Sequence, residues 1–203
     1  MDQIKITNKG VDNMGRPKEF DTQEVLDRAM DVFWENGFEA TSIQDLVDAM
    51  GIHRRSIYDT FGDKHNLFVL SLKRYEEMIA RKIEKTLSVS ISGYDRLKSL
   101  FSIVLSTEKN RAGCLIVNSA TELAYIDPSI AKEVQDYFDR EVQIISEILE
   151  KAQEEKQLTP NTNIQALAYY LHNALVGIRV LAKTTNDSQK LNIIIDQTLK
   201  NIF

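Results

Sequence analysis

Residues 41–61, TSIQDLVDAMGIHRRSIYDTF, constrain the fold of this chain more than any other stretch. On both sides of Gly51, apolar residues recur every three or four positions, a spacing that places them on one face of each of two short helices. Thr41 and Gln44 match the capping-box pattern, which predicts Thr41 as the cap of the first helix. Because glycine permits a sharp turn, the two helices are expected to pack across it. The stretch therefore predicts a helix-turn-helix.

The second helix of this motif is predicted to start from His53 and to bury Ile57 and Phe61, which are four residues apart. Its outer face then carries mostly polar and basic residues: His53, Arg54, Arg55, Ser56, Asp59 and Thr60. A helix of this size and polarity fits the major groove of duplex DNA. An ordinary helical hairpin with a solvated charged face is the alternative interpretation.

The composition suits a globular, non-membrane protein. With 203 residues, of which 43% are hydrophobic, the chain can bury a sizeable core in one domain or two small ones. No apolar run approaches the ~20 residues that cross a bilayer, and the first ten residues lack a secretion signal. The single cysteine cannot form an internal disulfide, which suits a reducing compartment. The sequence predicts a cytoplasmic protein without a membrane segment.

Net charge is the feature that fits DNA binding least well. The chain has a formal net charge of −5, and residues 1–70 hold 8 Lys and Arg against 13 Asp and Glu. Binding depends on where charge sits, and one face of a helix can point away from phosphates. The acidic residues cluster in the first predicted helix: Asp21, Glu24, Asp27, Asp31 and Glu35. The basic residues stand in and around the motif: Arg16, Lys18, Arg54, Arg55 and Lys64.

Outside the motif, the apolar spacing predicts an all-α chain without repeats. Residues 1–14 lack periodicity and are expected to form a mobile arm, and the alternating run 87–93 is interpreted as a loop because a lone strand has no partner. Gly37 is expected to end the first helix in a left-handed cap, with Trp34 at the helix edge. The helices predicted outside the motif span 22–36, 64–87, 94–108, 114–125, 129–155, 164–183 and 188–202.

The sequence offers no cluster of groups suited to catalysis or to metal binding. His53, His65 and His172 are scattered, and there is no HExxH motif, glycine-rich phosphate loop or serine elbow. One cysteine with dispersed histidines does not provide metal-ligand spacing. We therefore expect a protein that is not an enzyme and that has no cofactor and no metal site.

With its flanks, the motif resembles the TetR family of transcriptional repressors. The matching positions are Gly15, Arg16, Pro17, Ala29, Phe33, Gly37, Phe38, Thr41, Ile43, Gly51, Ser56, Ile57, Tyr58, Phe61, Lys64 and Leu67. The resemblance implies a three-helix DNA-binding domain at 15–62, then a helical ligand-binding and dimerisation domain at 63–203. It also implies a homodimer that represses transcription at an inverted-repeat operator and is released by a small-molecule effector. A helical protein-interaction adaptor without sequence-specific DNA binding is the alternative.

The resemblance also assigns DNA contacts. Thr41, Tyr58 and Lys64 correspond to phosphate-binding positions of the family, and a basic segment held by Pro17 suits a narrow minor groove. The full expected set is Arg16, Lys18, Thr41, His53, Arg54, Arg55, Ser56, Tyr58, Thr60 and Lys64. Many relatives have a small residue in place of Arg55 and a histidine in place of Thr60, so their base preference does not transfer.

Arg54 and Arg55 lie where arginine can bind O6 and N7 of guanine with two hydrogen bonds, or a phosphate instead. Since Arg55 and Asp59 are four residues apart, we expect an ion pair between them in the absence of DNA.

In the second half, Gly113-Cys114-Leu115 with Asn118 and Glu122 is similar to one subgroup of the family. An effector pocket is predicted among the helices that carry Met78, Phe101, Cys114, Asn118, Tyr137, Phe138, Tyr169 and His172, and ordinary core packing is the alternative for each. At a helix start and near Arg111, the Cys114 thiol is a candidate sensor of electrophiles or oxidants, or else an inert buried thiol.

A dimer interface is predicted in the last two helices. Their apolar residues are Ile164, Ala168, Leu171, Leu175, Ile178 and Ala182, followed by Leu191, Ile194, Ile195, Leu199 and Ile202. Ala174 and Gly177 add small residues that permit close helix approach. This apolar surface exceeds what one partner helix covers, which favours a four-helix interface between two subunits over a purely intramolecular core.

Overall fold

The computed structural model describes residues 20–88, 92–103, 112–185 and 187–203, and those ranges contain helices and no strand. The helices are α1 (Thr22–Asn36), α2 (Ile43–Met50), α3 (Arg54–Phe61), α4 (Lys64–Leu87), α5 (Gly93–Ser102), α6 (Leu115–Glu122), α7 (Pro128–Glu154), α8 (Ile164–Thr184) and α9 (Ser188–Lys200). The predicted all-α class is confirmed. The predicted arm at 1–14, the contacts assigned to Arg16 and Lys18, and the centre of the loop at 87–93 lie outside the described residues.

Helix α1 forms because Asp21 caps it and because its inner face is apolar. The Asp21 carboxylate accepts hydrogen bonds from the backbone N–H groups of Gln23 and Glu24. The predicted bounds of this helix are confirmed, but two details are wrong. Gly37 has φ 82° and ψ 174°, so the chain leaves the helix in an extended direction rather than in a left-handed cap. Trp34 is buried rather than at the edge, since its ring packs on Tyr75 and its indole N–H is bonded to the Gly113 carbonyl.

The predicted cap of α2 is displaced by one residue. Ser42, not Thr41, is the N-cap: its hydroxyl accepts from the Asp45 N–H, and the Asp45 carboxylate accepts from the Ser42 N–H. The bond from the Ser42 N–H lowers the pKa of Asp45 below its ordinary value. Thr41 instead turns inward, where it is 1% exposed and donates its hydroxyl to the Gly37 carbonyl. Ser42 and Asp45 each accept a hydrogen bond from the other's backbone N–H, whereas Thr41 and Gln44 do not form such a pair.

Helix α4 connects the two halves of the chain. Near its start, Phe68 packs edge-on against Phe33 of α1, with ring centroids 5.0 Å apart. Farther along, Arg74 donates two hydrogen bonds, of 2.6 and 2.9 Å, to the Asp27 carboxylate of α1. These hydrogen bonds raise the pKa of Arg74 further above its ordinary value. Apolar packing and a bidentate ion pair thus fix α1 on α4.

Helices α5 to α9 form the second half. Helix α7 begins at Pro128, whose fixed φ suits the first turn, and Asp127 caps it and also lies 2.7 Å from His65 at the start of α4. The described ends differ from the predicted ones by a few residues at α5 and α6. Helix α6 stops at Glu122 rather than at Tyr125, and the last part of the predicted helix 94–108 lies outside the described residues. None of the helices in the described part is long and apolar enough to cross a membrane.

An ion pair buried between α7 and α8 is the main polar feature of this half. Arg179, 6% exposed, donates to both carboxylate oxygens of Glu141, one of them at 2.6 Å. Tyr137 donates its hydroxyl to the same carboxylate at 3.1 Å. Burial alone would raise the pKa of Glu141, but the charge and hydrogen bonds of Arg179, together with His172, lower it to about 2. The carboxylate is therefore ionised inside the protein.

Breaking this pair on one side should destabilise the fold. Arg179→Met leaves a buried carboxylate without its cation, which should cost about 3–5 kcal/mol in the free energy of unfolding at pH 7. The double variant Glu141→Leu/Arg179→Met should recover most of that loss, because no charge is left unpaired. Urea unfolding at pH 7 measures both effects. A single variant as stable as the double one would contradict this account.

The same pair predicts a pH dependence. Because the pKa of Glu141 is depressed from 4.5 to about 2, its contribution is complete above pH 4.5 and is lost as the pH falls toward 2. The double variant should therefore lose less stability than the wild type over this acid range. Urea unfolding between pH 5 and pH 3 tests the difference, and equal slopes for the two proteins would argue against it.

Candidate nucleic-acid interface and internal cavity

Helix α3 presents the basic outer face that its sequence predicts. Ile57 and Phe61 are buried, at 0% and 3% exposure, and anchor the helix to the core. His53 is the N-cap residue and makes no side-chain cap bond, so its ring remains available. The outer residues His53, Arg54, Arg55, Tyr58 and Asp59 are exposed, and Ser56 and Thr60 are half-buried. The expected outward set thus shares one surface.

The turn before α3 depends on Gly51. Its φ of 68° and ψ of 26° are left-handed helical values, which glycine adopts without a steric cost. Its N–H donates to the Val47 carbonyl at 3.0 Å and closes α2. The chain then reverses and starts α3 within three residues, which fixes the angle between the two helices. The predicted helix-turn-helix is confirmed.

Two pairs on the outer face hold the arginines in the absence of DNA. The Arg54 guanidinium lies 5.8 Å from the centroid of the Tyr58 ring. Arg55 Nε lies 3.4 Å from Asp59 Oδ2, which confirms the expected ion pair. Both members of that ion pair are strongly exposed, at 91% and 69%, so water and salt weaken it. Either arginine can therefore leave its partner for a phosphate or a base at little cost.

Lys64 and Thr41 differ in what they can offer a phosphate. Lys64 starts α4, and its ammonium lies 4.3 Å above the centroid of the Phe38 ring. Thr41 faces the interior, with its hydroxyl bonded to the Gly37 carbonyl. Its assignment to a phosphate stays a prediction, and Ser42 is the hydroxyl residue exposed at the start of α2. Sequence reasoning missed Ser42 because Thr41 fits the more common capping pattern.

Acidic residues of α1 are partly neutralised within the protein. Asp27 is held by Arg74, and Glu24 pairs with Arg28 one turn away. Arg28 also donates to the Met50 carbonyl, at the end of α2, at 3.3 Å. These contacts weaken the negative electrostatic field that the excess of acidic residues in this part of the chain would otherwise produce.

A small cavity, of about 20 Å³, lies between α4, α8 and the segment that precedes α6. Its walls are formed by Tyr75, Ile79, Ile103, Gly113, Cys114, Arg179 and Ala182. This surface combines apolar side chains with three polar groups: a phenol, a thiol and a guanidinium. Burial, and then the neighbouring Cys114, raise the pKa of Tyr75 well above its ordinary value, so its hydroxyl stays protonated. In this conformation the cavity has room for about one water molecule, so a larger ligand would enter only if the walls moved apart.

Of the eight residues predicted to line one pocket, Cys114 alone borders this cavity. Tyr169 is 59% exposed, and Asn118 borders a separate polar cleft beside Trp34 and Lys183. These residues do not share one cavity in this structure, and their assignment to effector binding stays a prediction. Phe101 and Tyr137 are buried, and Met78, Phe138 and His172 are partly buried, without reaching the cavity wall.

Sequence reasoning missed Tyr75 and Arg179. Tyr75 fitted the inner stripe of a long helix, and helical spacing tells which residues face inward but not where the interior stays unfilled. Arg179 carried no signal, because an arginine in a helix usually faces solvent.

Cys114 occupies the position that the sequence predicts, just before the first turn of α6. It is the N-cap residue, it is 4% exposed, and its side chain makes no cap bond. Arg111, proposed as its neighbour, lies outside the described residues. In the ranges that the structure covers, no three His, Cys, Asp or Glu side chains come together as a possible metal site.

The outer face of α8 and α9 is apolar and open. Exposed apolar residues there are Tyr169, Tyr170, Val180, Leu181 and Ile193. Gly177 lies among them, and a Cβ added to it would meet no atom within 4 Å. The stripe predicted from Ala168 to Ala182 is instead buried within the subunit, and Ile195 is 0% exposed. Its burial makes Ile195 part of the core of one subunit rather than of a surface.

Family models match both halves of the chain. The model for bacterial regulatory proteins of the tetR family matches residues 25–69, and the model for the tetracyclin repressor-like C-terminal domain matches residues 93–198. The first match contains α2 and α3, and the second contains α5 to α8.

Curated relatives extend over nearly the whole chain. The uncharacterized HTH-type transcriptional regulator YezE of Bacillus subtilis is 36% identical over 195 residues, which are 92% of this chain and 98% of YezE. The HTH-type transcriptional repressor ComR of Escherichia coli is 30% identical, over 92% of this chain and 90% of ComR.

Among solved structures, a cysteine mutant of the TetR family regulator CifR, complexed with a 26-base-pair operator, has a TM-score of 0.83. It is 26% identical and covers 93% of this chain and 100% of its own. The reduced form of Escherichia coli NemR has the same fold, with a TM-score of 0.77 at 21% identity over 89% of this chain and 95% of NemR. The chain therefore belongs to the TetR family of helix-turn-helix transcriptional repressors.

Proposed function

We propose that this repressor binds an inverted-repeat operator as a homodimer and leaves it when a small effector occupies the cavity between α4 and α8. The observation that carries the proposal is the exposed basic face of α3 on a helix-turn-helix. The CifR structure, whose fold is similar, holds operator DNA. We divide the chain into a DNA-binding domain at 15–62 and a regulatory domain at 63–203. Such a regulator acts where the DNA is, which is the cytoplasm of a bacterium.

In this proposal each contact has a role. Arg54 and Arg55 point outward from the first turn of α3, from which arginine can reach base edges in the major groove. Tyr58 and Lys64 flank them and bind phosphates, and Arg16 and Lys18 reach a minor groove. A protein-interaction adaptor is the competing function, and it would show neither salt-dependent duplex binding nor sequence preference.

Substituting the basic residues should separate base contacts from phosphate contacts. The operator is first selected from a random duplex pool with the wild type. Lys64→Ala should weaken all sequences alike and reduce the slope of log affinity against log salt by about one unit. Replacing the base-contacting arginine, Arg54 or Arg55, by Ala should cost ~1–3 kcal/mol and relax one base position.

Lys85→Ala is the matched control for Lys64→Ala. Lys85 is exposed on the same helix, 21 residues along, which is about 30 Å away. Its removal should leave affinity and salt slope unchanged. If both arginine variants bound with wild-type affinity and preference, α3 would not be the recognition helix.

The dimer is proposed to form through α8 and α9. Gly177 lies among the exposed apolar residues of these helices. Because it has no side chain, it leaves room for a helix of the second subunit to approach closely. Burying this face against a second copy removes it from water, and two-fold symmetry then requires an operator with two inverted half-sites.

A charge on this face should separate the subunits. Gly177→Glu and Ile193→Glu place carboxylates at exposed positions of one subunit, so the subunit should stay folded while the buried charge disfavours the dimer. Ile195→Glu is unsuitable, since it disrupts the core. Light scattering should give the mass of a monomer for both variants and of a dimer for Tyr125→Glu, which alters an exposed aromatic elsewhere. A dimer retained by both variants would place the interface on another surface.

The effector is proposed to bind non-covalently. The cavity is small and Cys114 is 4% exposed, so reagents reach its thiol slowly. Treating the protein–operator complex with N-ethylmaleimide or a small quinone should therefore leave wild type and Cys114→Ser bound alike. Gel shift of both complexes measures this, with mass spectrometry to record thiol modification. Release of the wild type alone would instead assign a thiol switch to Cys114.

A further inference from the structure

Glu122, the last residue of α6, reaches from the second half of the chain to the turn between α1 and α2. Its Oε2 accepts a hydrogen bond from the Phe38 N–H at 3.1 Å, and its Oε1 accepts one from the Glu39 N–H at 2.8 Å. Bonds from N–H groups to a carboxylate are stronger than those between neutral groups. One side chain thus satisfies two successive backbone donors of the DNA-binding domain.

The turn is shaped around this carboxylate. A Cβ on Gly37 would lie 2.9 Å from Glu122 Oε2, closer than such atoms approach, so the absence of a side chain admits the carboxylate. The setting is otherwise unfavourable for an anion, because the C-terminal end of α1 carries the negative end of the helix dipole and Glu39 adds a like charge. General electrostatic attraction does not explain the position of Glu122, whereas the two specific hydrogen bonds do.

The turn leads directly to the start of α2. The Thr41 N–H donates to the Phe38 carbonyl at 3.3 Å, and the Thr41 hydroxyl donates to the Gly37 carbonyl at 2.6 Å. Ser42 then caps α2. Residues 37–41 are therefore held from inside by Thr41 and from outside by Glu122.

The turn also carries Phe38, whose ring supports Lys64, a proposed phosphate contact. The Phe38 ring packs 5.0 Å from the Phe68 ring, and the Lys64 ammonium lies on its face, 4.3 Å from the centroid. Since Glu122 holds the backbone N–H of Phe38, it fixes the residue whose ring supports Lys64. A displacement of the turn would move this support.

We propose that Glu122 is a positioning residue for operator binding: it holds the 37–41 turn and, through Phe38, the Lys64 ammonium. The proposal rests on the proposed function, because Lys64 matters only if the protein binds DNA. Glu122 itself does not touch the operator in this account. It acts from the regulatory domain on the geometry of the DNA-binding domain.

The test compares two variants with the same change in charge. Glu122→Gln and Glu39→Gln each remove one negative charge, and by electrostatics alone each should bind DNA slightly more tightly. Glu39 contributes its backbone N–H, which the substitution keeps. We expect Glu39→Gln to bind the selected operator within twofold of wild type, or tighter. Glu122→Gln, which loses a charge-assisted acceptor, should bind at least tenfold more weakly.

The salt dependence distinguishes positioning from a general loss of structure. If Lys64 loses its phosphate contact, Glu122→Gln should flatten the salt slope by about one unit, as Lys64→Ala does. In the Lys64→Ala background, Glu122→Gln should then cost less than it does alone. Should Glu122→Gln fold poorly, Phe38→Leu keeps the backbone N–H, removes the ring under Lys64 and should flatten the slope in the same way.

Three results would overturn the proposal: equal affinities for Glu122→Gln and Glu39→Gln, a loss of affinity with an unchanged salt slope, or full additivity with Lys64→Ala. Failure of the proposed function has a different signature. A wild-type chain that selects no duplex from the random pool would refute operator binding itself, before any variant is compared.

Discussion

The packing of α1 on α4 is the contact on which both halves of this protein depend. Phe33 and Phe68 join the two helices near the start of α4, and the Asp27–Arg74 pair joins them farther along. The same α4 then contributes Tyr75 to the cavity wall. One helix thereby serves as core for the DNA-reading motif and as wall for the proposed effector site. A shift of α4 would consequently move residues in both the DNA-reading motif and the cavity wall, which is a physical basis for communication between them.

Polarity inside the second half is concentrated at one buried ion pair. Glu141 and Arg179 neutralise each other, so the cavity beside them is lined by a guanidinium without presenting a full unbalanced charge. Such a pair contributes little net stability but gives a definite arrangement, because either member alone is costly. For the proposed effector, this balance favours a molecule with few polar atoms over a strongly charged one.

Much of the fold follows from the spacing of apolar residues, and the exceptions have physical causes. The bounds of α1 and α4 and the buried Ile57 and Phe61 were predictable because each helix has a cap and a regular stripe. The pattern misplaces the cap of α2 by one residue, because Thr41 and Ser42 are adjacent and the inward orientation of Thr41 depends on a hydrogen bond to the Gly37 carbonyl that residue spacing does not reveal. The cavity was not predictable, because its walls come from α4, α8 and an irregular segment whose meeting no local pattern records.

Trp34 is the sole tryptophan of the chain, and its position gives it a use beyond packing. Its ring leans on Tyr75 with centroids 5.0 Å apart, and its indole N–H is bonded to the Gly113 carbonyl at 3.0 Å, so both of its neighbours belong to the cavity wall. Indole emission responds to hydrogen bonding and to the polarity of its surroundings. The protein therefore carries an intrinsic fluorescent probe at the junction of its two domains. A compound that enters the cavity would change the tryptophan emission, so its binding could be measured without a label.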